Sequence, residues 1–408
     1  MIQKTARIRV AFLRLFRNYR FLPHLLRRQF LDMLFRRDLK YMDLRTKLEQ
    51  VSRLFRIEGE YVGYETICIG NVNQTYEVKF ILPEGKPKSF LIQNVNTYAF
   101  RQPIHLMENI DNVTEHIRAK KPGQVALHFH HTADRKTYVE DGEYFWRMTN
   151  FIPSKTYGSV KDPEIIHNAG TAFGEFQNQL ADFEIGKLHE TIPNFHNTRA
   201  RFEQLAEAVE KDPVGRVAEV REELDYLMEV QDQACVLTDM VARGELPLRV
   251  THNDTKINNV LFSPIDKRAM VVVDLDTVMP GLVGHDFGDA IRFAANREPE
   301  DSRNLDKVAL DLSVFRAFAE GFLEQTAKTL TENEINTLAA SCLTLTVELA
   351  TRFLADYILG DPYFNISCAD HNLARTRCQI ALAKDMQKKM PEMEKIVREC
   401  VAAANEIV

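Results

Sequence analysis

His252-Asn253-Asp254-Thr255-Lys256-Ile257-Asn258-Asn259, followed by Val271-Val272-Val273-Asp274-Leu275-Asp276, is the stretch on which the reading of this chain turns. Taken singly, its pieces are weak. An Asp with an Asn five residues later occurs by chance, and Val-Val-Val-Asp describes any buried strand that reaches the surface. In this order, and behind a β-rich region, the combination is far rarer. The segment 249–276 reads as a short strand-like island set between long helical patterns.

The order and spacing resemble the kinase catalytic loop, in which His-x-Asp is followed, five residues after the Asp, by an Asn. The chemistry explains the set. Phosphoryl transfer needs positioning and charge neutralisation more than covalent chemistry. Asp254 is placed to hold an acceptor hydroxyl and take its proton. Mg²⁺ prefers hard oxygen ligands and is held by one or two carboxylates plus substrate phosphates. Asp274 supplies a carboxylate, and the Asn259 amide oxygen a neutral ligand. Lys256, two residues past the base, offsets phosphate charge, and His252 braces the loop. Asp286-Phe287-Gly288 spells a kinase metal motif but lies too far along, since Asp274 already fills that role. Asp286 is read instead as an acceptor for the loop backbone, or as a plain turn residue.

Upstream, residues 60–150 read as β-rich. Strands are expected at 64–68, 76–82 and 89–95, with Pro83-Glu84-Gly85-Lys86-Pro87 as a turn. Further strands are expected at 125–131, 136–140 and 143–151, the last two as a hairpin through Asp141-Gly142. Between them, Ile104, Met107, Ile110, Val113 and Ile117 mark a helix. Past Pro153 the pattern is helical. Asp162-Pro163 is a helix start, with Asp as N-cap and Pro in the first turn, and Ile165, Ala169, Phe173, Phe176 and Leu180 form its core stripe. Helices are also expected near 200–210, 216–243, 311–328 and 332–359. The predicted fold is α+β and two-lobed, protein-kinase-like, with a β-rich nucleotide-binding lobe over 42–152 and a larger, mainly helical lobe over 153–408. ATP is expected in the cleft near 150–156.

Charge is unevenly spread. Residues 1–41 hold nine Arg and two Lys against Asp32 and Asp38, a charge of +9, and the net −6 then leaves −15 on the remainder. An acidic body argues against a nucleic-acid partner. The extension interleaves those Arg residues with Phe and Leu, an amphipathic pattern that suits a membrane surface or a targeting signal. The blander reading is favoured: an accessory segment, or sequence upstream of a true start at Met42, dispensable for catalysis. Six scattered cysteines, without a Cys-x-x-Cys pair, give neither a zinc signature nor a disulfide framework and point to a reducing cytoplasm. No uninterrupted apolar run approaches the ~18–20 residues of a spanning helix.

The catalytic stretch and Asp274-Leu275-Asp276-Thr277-Val278-Met279-Pro280-Gly281 strongly resemble the N-acetylhexosamine 1-kinases of the aminoglycoside phosphotransferase/choline kinase group. The resemblance runs from about 45 to 390. It extends to Phe173-Gly174-Glu175-Phe176-Gln177-Asn178, to 286–293, to 352–357 and to 371–377. It implies transfer of the ATP γ-phosphate to the anomeric hydroxyl of GlcNAc or GalNAc, with Arg352 and Tyr363 contacting the sugar. It also implies nucleotide contacts from Gly70, Asn73 and Thr75 in the loop Gly70-Asn71-Val72-Asn73-Gln74-Thr75-Tyr76, and from Gln93 where protein kinases carry Lys. Gln93 implies less charge assistance to the phosphates than Lys, and Asn71 departs from the pattern. Other small acceptors (a hexose, choline, homoserine or an aminoglycoside) remain alternatives, as does a non-catalytic binding protein. The presence of Asp254, Asn259 and Asp274 argues against the last.

Overall fold

The computed structural model describes residues 43–67, 72–123, 125–158 and 160–406. The basic extension 1–41, Met42, and Gly70 and Asn71 of the expected nucleotide loop lie outside the described residues. By their contacts, the described residues up to Pro103 together with Phe129–Phe151 form one unit, and those of Ile104–His128 with those from Ile152 onward form another.

The first unit is an antiparallel sheet of strands β1 (Glu60–Ile67), β2 (Gln74–Ile81), β3 (Pro87–Asn94), β4 (Tyr138–Glu140) and β5 (Phe145–Asn150), in the order β1-β2-β3-β5-β4. Helix α1 (Leu44–Leu54) packs on it. Period-two alternation places Tyr76, Val78 and Phe80 of β2, Phe90 and Ile92 of β3, and Trp146 and Met148 of β5 in one core with Leu48, Val51 and Phe55 of α1. The expected turn at 83–87 joins β2 and β3, with Gly85 at φ 79°. The β4–β5 hairpin closes through Asp141, whose carboxylate accepts from the Tyr144 N–H at 2.8 Å, and Gly142 at φ 85°. The strand expected at 125–131 does not form. Only Phe129 makes a ladder contact, opposite Thr149, because β4 already occupies that edge of β5 over residues 145–147.

The second unit is mainly helical. Its helices are α2 (Pro103–Lys120), α3 (Pro163–Gln179), α4 (Thr198–Lys211), α5 (Arg221–Ala234), α6 (Val236–Ala242), α7 (Val283–Ala294), α8 (Leu312–Thr326), α9 (Glu332–Ile358) and α10 (His371–Glu406). Asp162 caps α3 as expected, accepting from the Glu164 N–H, with Pro163 in the first turn. The helix expected over 216–243 is broken at Cys235 into α5 and α6 and opens with a 3₁₀ turn. Helix α10 was not read from sequence. Its buried Ala374, Cys378, Leu382, Met386, Met393, Val397, Cys400 and Ala404 nonetheless recur at intervals of three, four and seven. By length and composition α9 would pass for a membrane span, but 83% of its most apolar stretch is buried inside the protein.

Two packing devices position the site. Helix α7 is buried along both faces, and Phe287 inserts among Phe315, Phe318 and Phe322 of α8 with ring centroids 5.4–5.9 Å apart. Burying such a ring is worth about 1.5–3 kcal/mol. Helices α3 and α8 cross at glycines. A Cβ on Gly321 would sit 2.1 Å from the His167 carbonyl oxygen, and one on Gly170 2.3 Å from that of Phe318. Helix propensity favours Ala over Gly by about 1 kcal/mol, but overpacking costs about 1–3 kcal/mol or more, and here the obstacle is backbone that cannot swing aside. Gly321→Ala is therefore expected to lower the urea-unfolding free energy despite its better helix propensity. An unchanged or higher value would contradict the close approach.

Candidate active site

The decisive stretch folds as a set of short pieces. Strand β6 (Arg249–Thr251) pairs with β9 (Met279–Gly281), and β7 (Val260–Phe262) with β8 (Ala269–Val272). Between β6 and β7 runs the loop 252–256, followed by a 3₁₀ turn over Ile257–Asn259. The buried Asp286 carboxylate of α7 holds this loop. One oxygen accepts from the His252 N–H at 2.9 Å and from Gln177 Nε2 at 2.7 Å, and the other from the Asn253 N–H at 2.7 Å. The Thr255 hydroxyl donates to the Asp286 carbonyl at 2.5 Å. Burial pushes the Asp286 carboxyl upward, and the donors from His252, Asn253 and Gln177 oppose it. The loop-acceptor reading of Asp286 is thus the geometry found.

His252 is fully buried and braces the loop, as expected. Its Nε2 donates to the Val273 carbonyl at 2.8 Å, which leaves Nδ1 to accept from the Asp254 N–H at 3.3 Å. Phe173 and Phe176 meet the ring edge-on. Val273 is held from its other side too, its N–H donating to the Asn259 carbonyl at 2.8 Å. The residue before Asp274 is therefore tied to both ends of the loop. Asp274 itself adopts φ 62°, ψ 57°, as does Asn253 at φ 63°; Asp and Asn tolerate this left-handed region better than most side chains.

Asp254, Lys256 and Asn259 come together. Lys256 Nζ lies 2.7 Å from Asp254 Oδ1, and Asn259 Nδ2 donates to Asp254 Oδ2 at 3.1 Å and to the Asp254 carbonyl at 2.8 Å. Burial pulls the Lys256 ammonium down, but the Asp254 and Asp289 charges outweigh it and hold it above its ordinary value. Asp289 also accepts from the Thr255 N–H, and the buried Arg292 clamps it at 2.8 and 3.1 Å.

A second cluster, not legible in sequence, abuts the loop. His196, just before α4, lies 2.8 Å through Nδ1 from Glu348 Oε1 on α9 and 3.3 Å through Nε2 from the Asn253 carbonyl. The Thr198 hydroxyl donates to the other Glu348 oxygen at 2.8 Å. Burial raises the Glu348 carboxyl, and the His196 and Arg352 charges overcome it, holding it down at about 2. One turn beyond Glu348, the Arg352 guanidinium lies 5.5 Å from both the Phe195 and Phe364 ring centroids. Tyr363, 72% exposed, packs edge-on against Phe364. Arg201 belongs to the same cluster: burial and then the nearby Arg352 charge pull it below its usual value. Arg352 and Tyr363 thus both lie against Phe364, and the sequence reading missed Phe195, His196, Arg201 and Glu348. Only tertiary packing brings Phe195, His196 and Arg201 against Glu348 and Arg352 of α9, and no linear spacing announces it.

In the first unit, Gln93 Nε2 donates to the Thr75 hydroxyl at 3.0 Å, and the Asn73 side chain accepts from the Asn96 N–H at 2.9 Å. The buried Arg147 of β5, opposite Gln93 in register, donates to Gln93 Oε1 at 2.9 Å. A guanidinium therefore stands beside the position where Gln93 suggested little charge, and cross-strand pairing is the only signal for it.

Residues 95–321, more than half of the chain, match the APH phosphotransferase enzyme family, and the chain belongs to that family. Among solved structures it is similar to an aminoglycoside phosphotransferase from Alicyclobacillus acidocaldarius, with TM-score 0.56, 14% identity, and 86% of this chain and 96% of that one covered. A microcompartment-associated aminopropanol kinase gives TM-score 0.56 at 13% identity, covering 85% and 98%. Plasmodium vivax ethanolamine kinase gives 0.50 at 11%, covering 78% and 82%. At these identities the likeness establishes the kinase-like α+β fold.

His285 of α7 stacks obliquely on His196, with centroids 4.9 Å apart. Burial first, and the His196 charge second, push its imidazole down to about 3. An unfolded histidine titrates near 6.5. Between about 6.5 and 3 the unfolded chain therefore binds the extra proton, and this contribution to stability is lost as pH falls below 6.5. Removing that titration with His285→Gln should flatten the decline of unfolding free energy from pH 7 to pH 5 by up to about 1.4 kcal/mol per pH unit. Equal slopes for the two proteins in urea titrations would contradict the assignment.

Proposed function

We propose that this phosphotransferase moves the ATP γ-phosphate to the anomeric C1 hydroxyl of an N-acetylhexosamine, giving the sugar 1-phosphate. The observation that carries the chemistry is the Asp254 carboxylate, held between Lys256 and Asn259 on a loop whose backbone is pinned by Asp286. Asp254 orients the acceptor hydroxyl and takes its proton as the hydroxyl oxygen bonds to the γ-phosphorus and the bond from that phosphorus to the β–γ bridging oxygen breaks, releasing ADP. The Lys256 ammonium, kept charged by Asp254 and Asp289, balances the negative charge that reaches the transferred group.

The donor set fits Mg²⁺. Asn259 turns its amide nitrogen toward Asp254, which leaves the amide oxygen as a hard ligand. Asp274, in a left-handed conformation two residues past β8, contributes a carboxylate. When bound, the ion would neutralise phosphate charge. ATP would meet Asn73, Thr75 and Gln93 of the β-rich unit, together with Gly70, and the Arg147 guanidinium beside Gln93 would supply charge assistance that Gln93 alone lacks.

The acceptor preference rests on charge. Arg352 and Arg201 bring two guanidiniums to the end of the site marked by Tyr363 and Phe364. The nearby carboxylates are committed: Glu348 to His196 and Thr198, and Asp356 to the Tyr363 and Phe364 N–H groups and Asn372. A cationic amine needs carboxylates or an aromatic cage, whereas a hydroxyl-rich neutral sugar suits the fixed donor fork of Arg and the faces of Tyr363 and Phe364.

Asp254→Asn tests the base. It keeps the side-chain shape but cannot accept the proton, so kcat should fall by ~10²–10⁴ while the thermal midpoint stays near that of the parent. A variant that turns over at a near-normal rate would refute the role.

A further inference from the structure

Apart from the loop 252–259, three side chains of metal-binding type meet on the surface of the helical unit. His105 and Glu108 stand in the first turns of α2, and His189 lies in the segment that precedes α4. Their potential ligand atoms all fall within 4.8 Å of one another. His189 Nε2 is 2.8 Å from a Glu108 carboxylate oxygen. The His105 and His189 rings stack with centroids 4.0 Å apart and planes 13° from parallel. An i, i+3 spacing puts His105 and Glu108 on one helix face, but His189 is brought there only by tertiary contacts.

Those contacts are buried and specific. Asn109, 1% exposed, is the next residue on α2 after Glu108. Its Nδ2 donates to the His189 carbonyl at 2.8 Å, and its Oδ1 accepts from the His189 N–H at 2.8 Å. The amide thus grips the backbone of His189 from both sides. The same Nδ2 donates to the Val278 carbonyl at 2.9 Å, four residues beyond Asp274. The ligand-bearing backbone is fixed by a buried amide, while the His105 and Glu108 side chains face solvent.

We propose that His105, Glu108 and His189 form a binding site for a borderline divalent transition metal such as Zn²⁺, separate from the site for Mg²⁺. Two imidazole nitrogens and one carboxylate oxygen suit Zn²⁺, Ni²⁺ or Cu²⁺, whereas Mg²⁺ prefers an all-oxygen shell. Three protein ligands leave a fourth position to water, as in open tetrahedral sites. Bonds of ~2.1 Å need donor atoms roughly 3.4 Å apart, so the side chains must close slightly from their present spread. The two rings must also turn out of their stack so that their lone pairs converge, a rotation that exposed side chains make in picoseconds to nanoseconds. A bound ion would brace α2 against the segment that carries His189, which Asn109 already ties to that helix.

The test is calorimetric titration of ZnCl₂ into the full-length protein in Mg²⁺-containing, chelator-free buffer, with thermal melts alongside. The parent, His105→Ala, Glu108→Gln and His189→Ala proteins are compared. The parent should bind one Zn²⁺ per chain, not displaced by excess Mg²⁺, and should melt higher with the ion than in EDTA. Each variant should bind at least ~10-fold more weakly, the lower edge of what even an outer-shell change costs. Each should also lose the Zn²⁺-dependent rise in melting temperature while melting like the parent in EDTA. Absence of stoichiometric Zn²⁺ binding would overturn the proposal. So would variants that bind as the parent does, which would place the ion at another group such as the exposed Cys368.

Discussion

One buried carboxylate organises the candidate site of this chain. Asp286 is enclosed in α7 and would be costly there if its oxygens lacked donors. It is satisfied by the N–H groups of His252 and Asn253 and by Gln177 of α3. Those same two N–H groups belong to the residues just before Asp254, so satisfying Asp286 fixes the backbone from which the proposed base projects. Everything that locates α7 then locates Asp254: Phe287 among the phenylalanines of α8, and the glycine crossing of α3 on α8 behind it. Removing Asp286 would leave backbone donors buried without partners, at about 1–3 kcal/mol each.

The loop is braced from the other side by His196, which links the Asn253 carbonyl to Glu348. Glu348 stands one turn from Arg352, so the proposed acceptor end and the proposed base share a single buried network. The electrostatics are arranged in layers. Glu348 and Asp356 are consumed by specific donors, while Lys256, Arg201 and Arg352 carry positive charge near the loop. Such preorganised charge is what phosphoryl transfer asks of a protein, since little covalent chemistry is left to it.

Much of this was readable in the sequence because it is local. Asp254, Lys256 and Asn259 sit within one turn of chain, and the Asp162-Pro163 start and the Ile165-to-Leu180 stripe follow from capping and helical period alone. The β2–β3 and β4–β5 hairpins carry their glycines at the turns. What escaped is what depends on distant partners. His196 and Glu348 are separated by 152 positions, and Gln93 and Arg147 meet only across β3 and β5. The β-like run at 125–131 pairs only at Phe129, just past the stretch of β5 that β4 covers. Pattern shows that a segment can pair but not whether a partner edge is open.

The most direct test of the account is Mg²⁺-dependent ATP consumption by the purified protein across GlcNAc, GalNAc, glucose, galactose, choline and kanamycin, with the phosphorylated carbon identified in the product. The account predicts turnover with an N-acetylhexosamine and an acid-labile, alkali-stable phosphate at C1. Turnover confined to choline or kanamycin would contradict the sugar assignment carried by Arg352 and Arg201 while leaving the Asp254 chemistry standing. ATP binding without turnover of any of these acceptors would contradict the proposed function itself.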